Sequence, residues 1–546
     1  MSSAQTTPST TSSGAAMPTA SLPKVACSYD DIPYASYPVA TSHPDRLYNI
    51  ARLFGMDPVR PERARILELG CAGGGNLLPV ASQFPDCFCL GIELSEVQCR
   101  DANLAIKFVG LDNIEVRQGS ISDIRPELGK FDYIVCHGVF SWVPESVRDD
   151  ILRVASENLA DQGVAFVSYN TLPGWYLRGM VRGMMLQHVQ AITDPRTKII
   201  QAKALLKFLV ESTATHETPY ASYLKAEAEF LDKLPDHYLF HEHLEEHNKA
   251  FFFQEFVRHA SKHELQFLGE STLPTMWIGN LSPSALKTLE TIDDSVVRGQ
   301  ITDCIVGRTF RETLLVHKKV AIDRNLNATK WRDVRFFGSF TDVTEKPIDA
   351  NATPAKKSFK TKHGVTLTTE KPSQIAIEAL NQAYPGSLSI SEICETIESG
   401  LAADTSYVGK PMQMDSNQLS TVMMQWALSG YLEMRLLPDR MQTRDIRRPK
   451  MTAWARSQAR AGSMVTNLRH EGMTLTDVHR FIAPLLDGTR DMSQIAIEID
   501  RLNKAGILKI ESSESNTAWN SKETPYIIAQ QLIAQLAGMA LILPEN

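Results

Sequence analysis

The stretch that most constrains the fold is ILELGCAGGGNLLPVA, from Ile66 to Ala81. It reads as a buried strand carrying Glu68, then a tight turn through Gly70, Cys71, Ala72, Gly73, Gly74 and Gly75, then the first turn of a helix. Residues without bulky side chains let a backbone turn sharply and approach a ligand closely. Glu93, in CLGIELS at the end of a second apolar run, follows 25 residues after Glu68. A carboxylate at that place accepts hydrogen bonds from the two hydroxyls of a ribose. Together they predict a nucleoside site at the carboxyl end of a parallel sheet.

The turn also narrows the nucleoside. A dinucleotide site uses G-x-G-x-x-G with no acid ahead of it, so that a helix N-terminus faces a pyrophosphate. Here Glu68 precedes Gly70 and would repel that pyrophosphate, whereas it suits a ligand carrying an ammonium and a sulfonium. The segment resembles motif I of the class I S-adenosylmethionine methyltransferases, E/D-x-G-x-G-x-G, with Ala72 in place of the second glycine. NAD or FAD, and a turn with no ligand, remain the alternatives at this point. The resemblance implies cofactor contacts from Glu68, Gly70, Cys71, Ala72, Gly73, Gly74, Asn76, Glu93 and Leu94. It implies adenine contacts from Ser120 and Ile121, where Ser120 replaces the acid common in the family. It places Cys136 and His137 beside the methionine moiety.

A chain of 546 residues is too long for one core, and two to four domains are expected. The net charge of −7 argues against a dedicated nucleic-acid binder. Eight scattered cysteines, of which only Cys87 and Cys89 lie close, suit reduced thiols in a cytoplasmic protein. Residues 1–28 form a Ser/Thr/Pro-rich tail with no signal-peptide pattern. Pro525 to Pro544 carries no charge, but Gln530, Gln531 and Gln535 make a docked helix the expectation rather than a membrane span.

From Ile66 onward strands and helices alternate, with strands expected at 64–69, 88–93, 113–118, 131–136 and 163–169. This predicts an α/β fold with a parallel sheet covered on both faces. The resemblance to class I methyltransferases implies a Rossmann-like, seven-stranded sheet with its core over 29–175, a helical insertion at 176–250 and completion over 251–320. A polar linker is expected at 321–372, a winged-helix-like domain at 373–437 and an α-rich C-terminal domain at 438–546.

At the carboxyl ends of strands four and five, HGVFSWVP and SYNTLPGW supply His137, Tyr169 and Asn170 as candidate catalytic groups. Tyr34, Tyr37, Trp142 and Trp175 are candidate substrate contacts, because aromatic faces attract cations and can line a slot for a lysine stem. Core packing explains either tryptophan nearly as well. With YDDIPYASYP, HPDRL and YLFHEHLEEHNKAFFFQEFV, these segments resemble a bacterial subfamily that joins a class I core to a methyltransferase regulatory domain. Its members include rickettsial protein-lysine methyltransferases acting on outer membrane proteins. The resemblance implies S-adenosyl-L-methionine as cofactor, a protein acceptor, and a homodimer through the helical insertion. A small-molecule methyltransferase and a non-enzymatic cofactor-binding scaffold are the competing functions. His243-Leu-Glu-Glu-His247 matches an inverted zinc-protease pattern but reads better as a charged helix, so no metal is expected. A basic run (Arg435, Arg440, Arg444, Arg447, Arg448, Lys450, Arg456, Arg460) is broken by Asp439 and Asp445 and reads as a protein-facing surface rather than a DNA-binding one.

Overall fold

The strand RILEL is the hub of the architecture: it pairs in parallel on both sides, so both its faces are covered and its apolar residues are buried. The computed structural model describes residues 36–344, 356–362, 364–403, 415–508 and 524–545. The tail expected at 1–28 and the candidate Tyr34 lie outside these residues. Seven strands, β1 (Arg65–Leu69), β2 (Phe88–Glu93), β3 (Ile114–Gln118), β4 (Phe131–Cys136), β5 (Leu159–Asn170), β6 (Leu265–Glu270) and β7 (Phe310–His317), form one sheet in the order β3-β2-β1-β4-β5-β7-β6. β7 alone runs antiparallel, pairing β5 on one side and β6 on the other. The order reverses beside β1, and that switch point is where open α/β sheets place ligands.

Helices α1 (Pro44–Leu53), α2 (Leu77–Gln83), α3 (Glu96–Val109) and α4 (Glu145–Asn158) cover the sheet. The Ser95 hydroxyl accepts from Gln98 N at the start of α3, and Gly110 ends that helix at φ +76°. Alternation along β5 sends Val164 and Phe166 into one layer of core and Ala165, Val167 and Tyr169 into the other. The expected insertion is present as α5 (Trp175–Val189), α6 (Pro195–Ser212) and α7 (Pro219–Leu231), with a core of its own around Val181, Met185, Ile199, Leu206 and Leu224. The chain returns to the sheet through α8 (Phe253–Lys262) and α9 (Ser295–Val306).

The segment expected as a polar linker, 321–372, carries regular structure at its described residues. It contains β8 (Arg335–Phe337), β9 (Phe340–Asp342), β10 (Lys357–Thr361) and β11 (Thr366–Thr369). β8 lies between β12 (Leu388–Ser389) and β13 (Glu433–Arg435), so it shares a sheet with the winged-helix-like segment that follows. Strands of three to five residues, rich in Thr and Lys, are too short to show an alternation in sequence. Helices α10 (Lys371–Ala383), α11 (Ile390–Ala403) and α12 (Ser416–Leu428) complete that unit.

The last region packs α13 (Ala453–Ala461), α14 (Met492–Lys504) and α15 (Thr524–Gly538) around Ile482, Ile495, Ile499, Ile533 and Leu536, with a two-stranded ribbon of β14 (Met464–Thr466) and β15 (Gly472–Thr474). α15 buries its apolar face on this core, and no helix among the described residues is long and apolar enough to cross a membrane. Part of the basic run is used inside the molecule. Arg435 pairs with Asp45 (3.4 Å) and Asp439 (2.7 Å), Arg440 pairs with Glu62 (2.7 Å), and Arg444 and Arg448 donate to the carbonyls of Gln382 and Thr489.

Candidate active site

The glycine turn after β1 is built from left-handed residues: Gly70 has φ +73°, Ala72 +48° and Gly74 +76°. A side chain at Gly70 would place its Cβ 2.7 Å from Val139 Cγ2, and one at Gly75 would lie 2.2 Å from the carbonyl oxygen of Ser36. Ala72 carries a cost that glycine would not: its methyl group sits in a conformation costing about 1 kcal/mol. What holds it there is Glu93, whose Oε2 accepts from Ala72 N at 2.7 Å while Oε1 accepts from Ser95 N at 2.9 Å. The acid at the end of β2 thus ties the turn to the start of α3. The Cys71 side chain packs beneath the turn, because Gly91 on β2 leaves room for it. Leu94 is 47% exposed at the rim.

Glu68 is 4% exposed. Its Oε1 accepts from Asn76 Nδ2 at 2.9 Å, and its Oε2 has no partner among the described residues. Burial pushes its pKa up to about 8, against the help of Asn76 and with Glu93 adding repulsion. A half-satisfied buried carboxyl beside a glycine turn fits a cationic ligand such as S-adenosylmethionine and is ill suited to a pyrophosphate. A strap from Ser36 to His43 crosses the turn: the Ser36 hydroxyl accepts from Gly75 N at 2.7 Å, and Val39 N donates to Asn76 Oδ1 at 2.9 Å. Tyr37, the described part of the tyrosine pair, stands 53% exposed on this strap.

Past β3, Ser120 turns its hydroxyl back to accept from Ser122 N, and Ile121 packs on the core below. Past β4, Cys136 is buried with its thiol pKa raised by desolvation, whereas His137 is half-buried at the sheet edge. Desolvation lowers the His137 pKa to about 4, and its Nδ1 has no partner among the described residues. Phe310 stands edge-on to its ring at 6.2 Å. Trp142 meets Trp175 edge-on at 6.3 Å, and Tyr176 meets Phe252 in the same manner at 6.4 Å. The carboxyl ends of β4 and β5 and the amino end of the antiparallel β7 are therefore rimmed by aromatic rings. Phe310, Tyr176 and Phe252 are additions to the sequence-derived set, since nothing in their local sequence marks them.

Tyr169 is placed differently from expectation. It is 1% exposed, stacked 4.0 Å from Phe256, with its hydroxyl 3.1 Å from Thr313 Oγ1. It shares the core layer of Ala165 and Val167, so strand alternation turns it inward, away from the mouth. Asn170, on the opposite parity, is buried too; its backbone N–H donates to Ser141 Oγ, and its Nδ2 has no partner among the described residues. The His243–His247 pair cannot share a helix face, because the turn of π-helix over Phe240–Leu244 ends before Glu245. His241 binds Glu245 at 2.9 Å and His243 lies 3.4 Å from Glu227. Asp149, His259 and His263 converge elsewhere, both imidazoles bonding Asp149 Oδ1 at 3.1 and 2.8 Å, which accounts for their grouping without a metal.

Three family models match successive parts of the chain: "Methyltransferase domain" over residues 66–163, "Predicted methyltransferase regulatory domain" over 235–317, and "PKMT, C-terminal winged helix domain" over 447–541. The uncharacterized protein RP789 of Rickettsia prowazekii is 38% identical over 476 residues, which are 86% of this chain and 84% of that protein. The structure of PKMT2 from Rickettsia typhi in complex with AdoHcy is similar at a TM-score of 0.81 and 28% identity, covering 94% of this chain and 100% of that one. Sheet order, glycine turn and acid-ended second strand define a class I methyltransferase, the class whose methyl donor is S-adenosylmethionine. The chain belongs to the family in which that core carries a methyltransferase regulatory domain and a PKMT-type C-terminal winged helix domain. The winged helix match falls on α13 to α15 rather than on 373–437, where the sequence suggests one. The ribbon of β14 and β15 within that match has only three residues per strand and leaves no pattern to read.

Proposed function

We propose that this methyltransferase acts on lysine side chains of a protein. The observation that carries the reading is likeness to PKMT2 over nearly the whole chain, including the C-terminal domains that a small acceptor would not require. Gly70, Cys71, Ala72, Gly73, Gly74, Glu93, Leu94, Ser120 and Ile121 would hold the adenosyl portion of the cofactor; Glu68, Asn76, Cys136 and His137 would surround its methionine portion. When bound, S-adenosylmethionine supplies an electrophilic methyl group on a sulfonium.

The chain's own groups have a positioning task. A lysine amine must be neutral to act as nucleophile, which costs roughly 4.6 kcal/mol at pH 7 when it starts from the ordinary lysine value of about 10.4. His137, with a pKa of about 4, is too weak a base to take that proton and stays neutral. The rings of Trp142, Trp175, Phe310, Tyr176 and Phe252 offer an apolar slot in which the amine deprotonates more readily and water is excluded. Orienting the amine there accounts for most of the catalysis required. Incubation with isotopically labelled donor and cell lysate tests the assignment. Label on lysines of protein bands is expected. Label confined to soluble metabolites would make the chain a small-molecule methyltransferase, and no label anywhere would leave a binding scaffold.

Glu68 adds a pH signature. Because its folded pKa is raised to about 8, its contribution to stability is fully present below the ordinary carboxylate range and is lost as pH rises through about 8. A cationic ligand favours the ionised carboxylate. Binding at pH 7 is therefore expected to release about one proton, and apparent affinity is expected to climb with pH and level off above about 8. Calorimetry in buffers of different ionisation enthalpy reads the proton directly. In Glu68→Gln the release should vanish; proton release unchanged in that variant would contradict the assignment.

A further inference from the structure

His470 is remote from the core in sequence, 394 positions beyond Asn76, yet its Nε2 lies 2.6 Å from Asn76 Oδ1 in the wall of the cofactor turn. It is 1% exposed and belongs to the turn joining β14 to β15, within the matched C-terminal domain. The Asn76 amide is fully committed: its Nδ2 donates to Glu68 Oε1 at 2.9 Å and to Ser42 Oγ at 3.0 Å. Its Oδ1 accepts from Val39 N at 2.9 Å. With both amide hydrogens given to Glu68 and Ser42, the oxygen can only accept, so His470 Nε2 carries the proton and donates it. The imidazole packs 4.9 Å from the ring of His43 on the strap.

The turn that presents His470 is held from several sides. Asn467 Oδ1 accepts from the backbone N–H groups of Arg469 and Glu471, each at 2.9 Å, and Asn467 Nδ2 donates to Met539 O at 3.0 Å. Arg469 pairs with Glu433 at 3.0 Å, and Gln83 Nε2 on α2 donates to Leu468 O at 3.2 Å. His470 itself adopts φ +61°, a left-handed conformation that costs a residue with a Cβ about 1 kcal/mol and persists only where surroundings fix it.

We propose that His470 is a positioning residue for the cofactor site: by donating to Asn76 it orients the carboxyl of Glu68 and the strap at Val39, and so couples the seating of the winged helix domain to cofactor affinity. The proposal rests on S-adenosylmethionine binding at this turn and is independent of the acceptor's identity. By linkage the coupling is reciprocal, so a filled cofactor site must also tighten the seating of the β14–β15 turn.

The pair His470→Gln and His470→Met isolates the donor, since both fill the ring's space and only glutamine offers an N–H. Titration with S-adenosylhomocysteine is expected to show His470→Met about tenfold weaker than the parent, with His470→Gln within about threefold of it. In turnover the methionine variant should show a raised KM for the cofactor and an unchanged kcat. Equal weakening in both variants would mean that the ring acts by packing alone, and no weakening in either would mean that the link is idle; each result overturns the proposal. Hydrogen exchange on the unaltered chain supplies a second reading that needs no variant. S-adenosylhomocysteine is expected to slow exchange of the amides from Asn467 to Glu471, and unchanged exchange there, with the cofactor site demonstrably filled in the same sample, also overturns it. A parent chain that takes up no S-adenosylhomocysteine would instead count against the cofactor assignment itself.

Discussion

Glu93→Ala is expected to weaken S-adenosylhomocysteine binding by at least about 100-fold while leaving a folded chain. The carboxylate has two tasks, and alanine performs neither. It receives the backbone N–H groups of Ala72 and Ser95, fixing a turn that holds Ala72 in an unfavourable left-handed conformation. It also stands at the carboxyl end of β2, where a ribose diol would be met. Hydrogen bonds to a charged group are worth about 1.5–3 kcal/mol each. Losing two of them amounts to roughly 3–6 kcal/mol, or two to four orders of magnitude in affinity. Glu93→Gln keeps one acceptor and should fall between. Calorimetric titration of the three proteins checks the order; a dissociation constant for Glu93→Ala within threefold of the parent would be incompatible with this site.

The largest stability effect is expected at Arg311. Its guanidinium bonds Asp303 at 2.8 and 2.9 Å, makes a short bond to Glu270, and lies 3.6 Å from the centre of the Phe253 ring. All three charged groups are buried. Arg311→Met would leave the Glu270 carboxyl in the core without its cation and Asp303 with Arg308 alone (2.6 Å), and breaking a buried ion pair from one side costs about 3–5 kcal/mol. For a domain of this size that is a fall in Tm of roughly 6–20 °C. Arg311→Lys should recover little, because a single ammonium cannot reproduce the two-pronged contact with Asp303. Activity should fall as well, since Glu270 also accepts from Thr313, whose hydroxyl meets Tyr169 under the aromatic mouth. A melting curve for Arg311→Met that matches the parent would sink this reading of the network.

How much of this is legible in the sequence depends on the range of the interaction. The core sheet is readable because apolar runs such as ILEL and FCLGIE are bounded by turn residues and alternate with helical spacing. Glu68, the glycine turn and Glu93 are readable because the chemistry of one short loop demands them in order. Tyr169 marks a limit: a place at the carboxyl end of a strand does not suffice, because its parity with Ala165 and Val167 sends it into the core. The HLEEH segment fails for a similar reason, since a shared helix face requires a helix that continues, and this one ends at Leu244. The short strands from Arg335 to Thr369 carry no periodic signal. The bond between His470 and Asn76 carries none either, because nothing local in either residue announces a partner 394 positions away.

The central claim is that the carboxyl of Glu68 and the acid-braced turn above it form a seat for a cationic adenosyl donor. It is tested most directly by titrating the unaltered chain with S-adenosylmethionine and, in parallel, with NAD. The account predicts saturable uptake of one S-adenosylmethionine per chain, with release of a proton at pH 7, and no heat from NAD. Uptake of NAD with none of the sulfonium compound would contradict it.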